Sequence, residues 1–371
     1  MRKAFVLLIT LPWLLTYSMM QHAGQKAVPQ NNVVISDAKH KDIWKAIDSL
    51  ERKGLTQSAI ELLNAYYDQV SYESNSDEKI KTVIHLIKFI SMKEEKGLVL
   101  AIKRLEKETR ATEAPTRNIY YSMLAELYWT FYNSNAWRFA QRSNISGQKS
   151  ENIETWSVDQ ILEHSMSLHD KALTNESLLW ETPIEGYEEI LEEGNNGRTF
   201  HPTVYDFIAH RALQFFADSR SRIHRPIEEF QLENELDFST PLHFSKITYQ
   251  SPDEHSAQFR SITIYSKLTT LHLAANDTNS LIHWTIERLK YVYAESYHAK
   301  KDSLYMSALQ QLALSYKAHP GSAEAWYALA LFHHQNNGAE ELGTSSVKAH
   351  RLCKNTIAEY PESYGGKWCK K

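Results

Sequence analysis

The chain has 371 residues, 42% of them hydrophobic and 23% charged, with a formal net charge of −4. This length suits one large helical array or two domains, and the composition is that of a globular chain, not a disordered one. No basic stripe offsets the acidic balance, which argues against nucleic acid as a partner.

The low counts carry the fold information. Twelve Gly and ten Pro occur in the chain, about half the usual share. Sheets and barrels need frequent Gly/Pro turns; long helices joined by short connections do not. No proline lies between Gln30 and Ala114, and no glycine between Arg198 and Pro320. The expected class is therefore all-α: stacked antiparallel helix pairs forming a tetratricopeptide-like (TPR-like) α-solenoid in two helical lobes.

Arg2 and Lys3 precede an apolar run over residues 4–15, and polar Thr16, Tyr17 and Ser18 follow at once. The run is shorter than the roughly 20 residues that span a bilayer, and the pattern is that of a secretory signal peptide over 1–24. Cleavage would fall near Ser18 or near Ala23. The protein is accordingly expected to be exported to the periplasm or cell envelope, touching the membrane only through this segment. Residues 25–39 read as a polar leader.

Helical spacing then sets in. Ile43, Trp44, Ile47 and Leu50 share one face of a helix over 41–53, which Gly54 stops. Thr56 caps a second helix striped by Ala59, Leu63, Tyr66 and Val70. The run Asn75, Ser76 and Asp77 caps a third bearing Ile80, Val83, Ile84 and Ile87. After Gly97 comes a fourth, with Leu98, Ala101, Ile102 and Leu105. Pro115 opens a fifth, with Tyr120, Met123, Leu124, Leu127 and Phe131. A helix pair cannot bury its apolar face alone, whereas a row of pairs can.

Residues 133–155 read as an irregular polar stretch. Helices are expected again over 157–173 and 202–218, the second with Pro202 at its first position. The stretch 220–255, holding Pro226, Pro241 and Pro252, reads as a linker between lobes, with a short strand around 243–249. Helices resume at Ser256. Trp326, Leu329 and Ala330, then Ala349 and Pro361, match positions of a TPR unit, and Ala308, Leu312 and Pro320 match its predecessor. The expected organisation is thus 40–219 as the N-terminal lobe, 220–255 as linker, 256–363 as the TPR-like lobe and 364–371 as a tail.

The search for chemistry returns no catalytic, cofactor or metal site. No Gly-rich phosphate loop, H-E-x-x-H, C-x-x-C or G-x-S-x-G occurs. His333 and His334 are adjacent and so diverge on a helix. Glu163, His164 and His169 read as a solvated face, and Glu188, Glu189, Glu192 and Glu193 as acidic surface. The aromatic run Tyr128 to Tyr132 reads as core rather than as a ligand groove. Cys353 and Cys369 are the two cysteines; they could pair in an oxidising compartment, or Cys353 is a small buried apolar residue.

Several segments stand out together: IWKAIDSLERKGLTQSA (43–59), AIKRLEKE (101–108), AELYWTFY (125–132), TVYDFIAHRALQFF (203–216) and EYPESYGGKWC (359–369). They resemble the N-terminal helical region of large Bacteroidetes-type alpha-2-macroglobulin-family proteins. The resemblance implies an exported chain related to the protease-trapping endopeptidase inhibitors, in which helices precede a series of β-sandwich domains. The chain holds no recognisable bait region and no C-x-E-Q thioester motif, so no functional residue carries over. The resemblance implies the leading module of such a protein, a truncated product or a gene fragment. The expected function is a non-catalytic scaffold or protein-docking segment. A free-standing periplasmic TPR-like protein that binds a peptide, protein or glycan is the alternative, and an α/α-barrel hydrolase with unlinked carboxylates the third reading.

Overall fold

The structure, a computed structural model, describes residues 6–7, 40–70, 77–93, 96–140, 152–192, 197–221, 229–253, 255–336 and 344–371. These residues are mostly helical, in keeping with the composition. The chain divides into two compact units, 1–195 and 196–371.

The first unit is a run of helices, each packed on the next: α1 (His40–Arg52), α2 (Thr56–Val70), α3 (Asp77–Ser91), α4 (Gly97–Arg110) and α5 (Thr116–Ser134). Ile47 and Leu63 are fully buried, and Ile43, Tyr66, Leu86 and Phe89 close the same core. Each such side chain contributes about 1.5–3 kcal/mol of transfer free energy. Gly54, at φ +70°, turns the chain out of α1, a backbone region that side-chain-bearing residues avoid. Gly97 is required for another reason. A Cβ there would lie 2.7 Å from the Ile90 carbonyl oxygen and 2.8 Å from that of Ser91, so only glycine lets α4 start so close to the end of α3.

The unit continues with α6 (Ala136–Ala140), a 3-10 turn at Ile153–Thr155 and α7 (Val158–Ala172). The stretch expected to be irregular thus contains a helical turn; of that stretch, 141–151 lie outside the described residues. Ser157 and Gln160 form a capping box at the start of α7, satisfying two of its orphan donors. At the other end Asn118, buried on α5, donates Nδ2 to the carbonyls of Ala172 (3.0 Å) and Thr174 (2.8 Å). Then come α8 (Glu176–Glu181), a 3-10 segment at Ile184–Ile190 and the two-residue strand β2 (Leu191–Glu192), which pairs antiparallel with β1 (Val6–Leu7). Apart from Val6–Leu7, the expected signal segment 1–24 and leader 25–39 lie outside the described residues, as do Asn75 and Ser76.

The second unit comprises α9 (Gly197–Phe200), α10 (Val204–Ala217), 3-10 turns at Ser219–Ser221 and Glu235–Phe238, α11 (Pro241–Phe244), α12 (Ala257–Ala275), α13 (Thr278–Glu295), α14 (Lys301–Ser315), α15 (Ser322–Gln335), α16 (Thr344–Glu359) and α17 (Tyr364–Cys369). Pro202 precedes α10 instead of opening it; Thr203 is the cap, paired with Asp206 in a capping box. Asn276, at φ 54°, makes the left-handed turn between α12 and α13. The central helix is α13, which packs against α9, α12, α14 and α15. Leu312, Leu329, Ala330 and Ala349 are buried, and Pro320 and Pro361 lie in the turns after α14 and α16.

Three expectations are corrected. The division falls at 195/196, not in a linker over 220–255. Residues 229–253 belong to the second unit, held by the buried guanidinium of Arg288. It donates to the carbonyls of Asp237 (3.1 Å) and Ser239 (2.6 Å) and lies 3.8 Å over the Phe244 ring. No strand forms at 243–249: His243 is in α11, and Tyr249 hydrogen-bonds Asp237 through its hydroxyl at 2.7 Å. Finally, 364–371 is not a loose tail, because α17 packs against α15 and α16. A Cβ at Gly365 would overlap the Ala323 backbone, and one at Gly366 the Tyr360 carbonyl. Among the described residues no helix is long and apolar enough to cross a membrane.

Candidate functional site

Two features of the second unit combine polar groups with burial or concavity. The first grows from the α10 capping box. Asp206, with no solvent exposure, accepts hydrogen bonds from Thr203 N (3.2 Å) and Thr203 Oγ1 (2.7 Å) through Oδ2. Its Oδ1 faces His272 Nε2 at 2.8 Å and accepts from Trp284 Nε1 at 3.1 Å. His272 Nδ1 lies 3.2 Å from Asp277 Oδ2. Burial alone would depress the imidazole pKa. Its bonds to Asp206 and Asp277 override that and hold it at about 9, so it is an imidazolium at neutral pH.

His201 lies in the same region with the opposite balance. Burial, reinforced by His210, His283 and His272, presses it well below its ordinary value. Its ring is 4.8 Å from that of Trp284 and 4.9 Å from that of His210. An Asp–His pair is the raw material of acid–base catalysis. Here both members have 0% exposed side chains, and Asp206 is engaged by donors from three elements. The geometry makes it a structural knot tying α10, α12 and α13 together.

The second feature is a cavity of about 240 Å³ between the 3-10 turn at Glu235–Phe238, α11, α12, α13 and α14. Its apolar wall includes Phe238, Leu273, Leu289 and Leu312, and its rim Leu242, Gln311, Ser315 and Tyr316. Leu242 is 56% exposed at this opening. Ser239 Oγ on the wall is shielded from solvent and has no hydrogen-bond partner among the described residues. Arg288 positions the wall, because its two backbone acceptors belong to Asp237 and Ser239. No Asp, Glu, His, Lys, Arg or Cys lines the cavity. It can bind and shield; its lining offers no acid–base pair and no metal ligand set. We take it as the candidate site.

The residues singled out by sequence lie elsewhere. Glu163, His164 and His169 are not a solvated face: His169 is buried, and His164 packs edge-on to Tyr128 with centroids 4.6 Å apart. The reason is that α7 lies along α5. Tyr128 and Phe131 are core, as expected, while Trp129 and Tyr132 are half-buried and stack at 5.2 Å. His333 is half-buried and His334 exposed on the last turn of α15. Glu188 is exposed; Glu193 lies outside the described residues. No cluster of three His, Cys, Asp or Glu suited to a metal occurs among the described residues.

Sequence reasoning missed both features. The Thr203/Asp206 spacing of a capping box was a local signal for a polar helix start, but nothing local joins it to His272 and Trp284. The cavity walls come partly from the segment taken for a linker. Comparisons with models of known families, with curated proteins and with solved structures find no match to this chain.

Proposed function

We propose that the chain is a non-catalytic helical docking module, and that the cavity bounded by α11 and α14 receives an apolar side chain of a protein partner. The observation behind this reading is the lining: a largely apolar wall broken by the hydroxyls of Ser239 and Thr285, with Gln311 and Ser315 at the rim and no ionisable acid or base apart from Tyr316. Size points the same way. At about 240 Å³ the cavity falls below the roughly 300–1,000 Å³ of metabolite and cofactor pockets and suits one anchoring side chain of a larger interface. The resemblance of 43–59, 101–108, 125–132, 203–216 and 359–369 to the leading helices of alpha-2-macroglobulin-like proteins supports reading the chain as such a module of an exported protein.

The alternative is a free-standing TPR-like binder. It is favoured by the packing of α14 on α15, of α15 on α16, and of α17 on both α15 and α16, with Pro320 and Pro361 in equivalent turns.

A photoreactive phenylalanine analogue at Leu242, incubated with envelope extract, tests the docking reading against the same analogue at exposed Leu55. A discrete adduct formed from position 242 alone supports it, provided Ala308→Arg in the cavity wall abolishes that adduct. Identical adducts from both positions, or none from 242, would sink it.

A further inference from the structure

Cys353 and Cys369 are the two cysteines in the chain. Cys353 lies on α16 and Cys369 ends α17. The two helices pack against each other, and both cysteines are half-buried, within reach of a small reagent. The Cys353 sulfur and Thr356 are side-chain neighbours of the Cys369 thiol, and both bear on its ionisation. Thr356 stands three residues beyond Cys353, so both occupy one face of α16. Tyr327 of α15 is close enough to both sulfurs to feel them electrostatically, and its ring lies 6.0 Å from that of Trp368. The backbone is built for this approach, since Gly365 and Gly366 leave no Cβ against Ala323 and Tyr360. At six residues α17 is too short to hold a helix on its own.

We propose that Cys353 and Cys369 form a reversible disulfide that ties α17 to α16, made by exchange with a disulfide donor such as oxidised glutathione or a protein disulfide. One protein thiolate attacks the donor disulfide, forming a mixed disulfide and releasing one donor thiol. The second protein cysteine then displaces the other donor thiol. Two protein thiols thus pass two electrons and two protons to the donor, which leaves as two thiols. The bridge closes a short loop, 354–368, and removes freedom from the unfolded chain. Burial and the neighbouring sulfur raise the Cys369 thiol above its usual range, and the thiolate is the reactive form. Uncatalysed exchange is therefore slow at neutral pH and quickens with alkalinity.

The test uses the full 371-residue chain, reduced and then incubated with oxidised glutathione at mildly alkaline pH. Tryptic digestion without reductant should yield peptide 352–354 linked to peptide 368–370, with both free thiols lost together. Amide exchange in 364–369 should slow by at least about tenfold in the oxidised chain. Cys353→Ser and Cys369→Ser, shown by circular dichroism to be folded, should instead each accumulate one glutathione adduct and gain no protection. Separate glutathione adducts on both cysteines of the unsubstituted chain, or cross-linked dimers in place of the internal link, would overturn the proposal.

Discussion

His272 Nε2 lies 2.8 Å from Asp206 Oδ1 although 66 residues separate the two in sequence. Neither side chain is exposed. The contact joins the end of α12 to the first turn of α10, and Trp284 adds α13 through the same oxygen.

That contact makes the second unit sensitive to alkali. The folded pKa of His272 is about 9 against an ordinary 6.5, so the folded state binds the proton more tightly. The resulting stability is complete below pH 6.5 and is lost as pH rises through 9. The shift corresponds to on the order of 3 kcal/mol. The urea midpoint should fall across this window, and in His272→Gln the slope should vanish. A slope unchanged in the variant would refute the assignment.

The first unit should be sensitive to acid. Burial, helped by Lys88 and Lys81, depresses His85 to about 4 from 6.5. Its ring lies 4.9 Å from that of Trp44. The unfolded chain takes up a proton that the folded one refuses, so stability present above pH 6.5 drains away towards pH 4, by on the order of 3 kcal/mol. His85→Gln should resist acid better than the unsubstituted chain in circular dichroism titrations. Equal acid midpoints would contradict this.

Arg288→Ala should cost about 3–5 kcal/mol, because it deletes a buried side chain and strips donors from the Asp237 and Ser239 carbonyls. Arg288→Met should retain more stability by keeping volume beside Phe244. In both variants amide exchange over 235–245 should accelerate ahead of global unfolding. Unchanged protection there would show that Arg288 does not hold the cavity wall.

Gly365→Ala should displace α17, since its Cβ would overlap the Ala323 backbone. The expected cost is about 1–3 kcal/mol. Trp368 emission should shift to the red as its packing on Tyr327 and Tyr364 loosens. Gly186→Ala, at a position with open space around its Cβ, serves as the neutral comparison.

The helices were legible from the sequence because helix formation is local. The apolar spacing of Ile43, Ile47 and Leu50, the stop at Gly54 and the prolines at 320 and 361 act within one or two turns, and all stand where the sequence pattern put them. Scarcity of Gly and Pro likewise determined the all-α class, since long helices make few turns. The partnerships between helices were decided only in three dimensions. A 3.6-residue period says which face is buried but not which helix covers it. Hence Asp206, His272 and Trp284 converge unannounced, Arg288 draws a proline-bearing segment into the second unit where sequence suggested a linker, and His169 is buried on a face that looked solvated. The cavity wall and the packing of α17, which carries Cys369, on α16, which carries Cys353, have the same origin: each joins helices whose meeting depends on how the whole unit shares out its apolar surface.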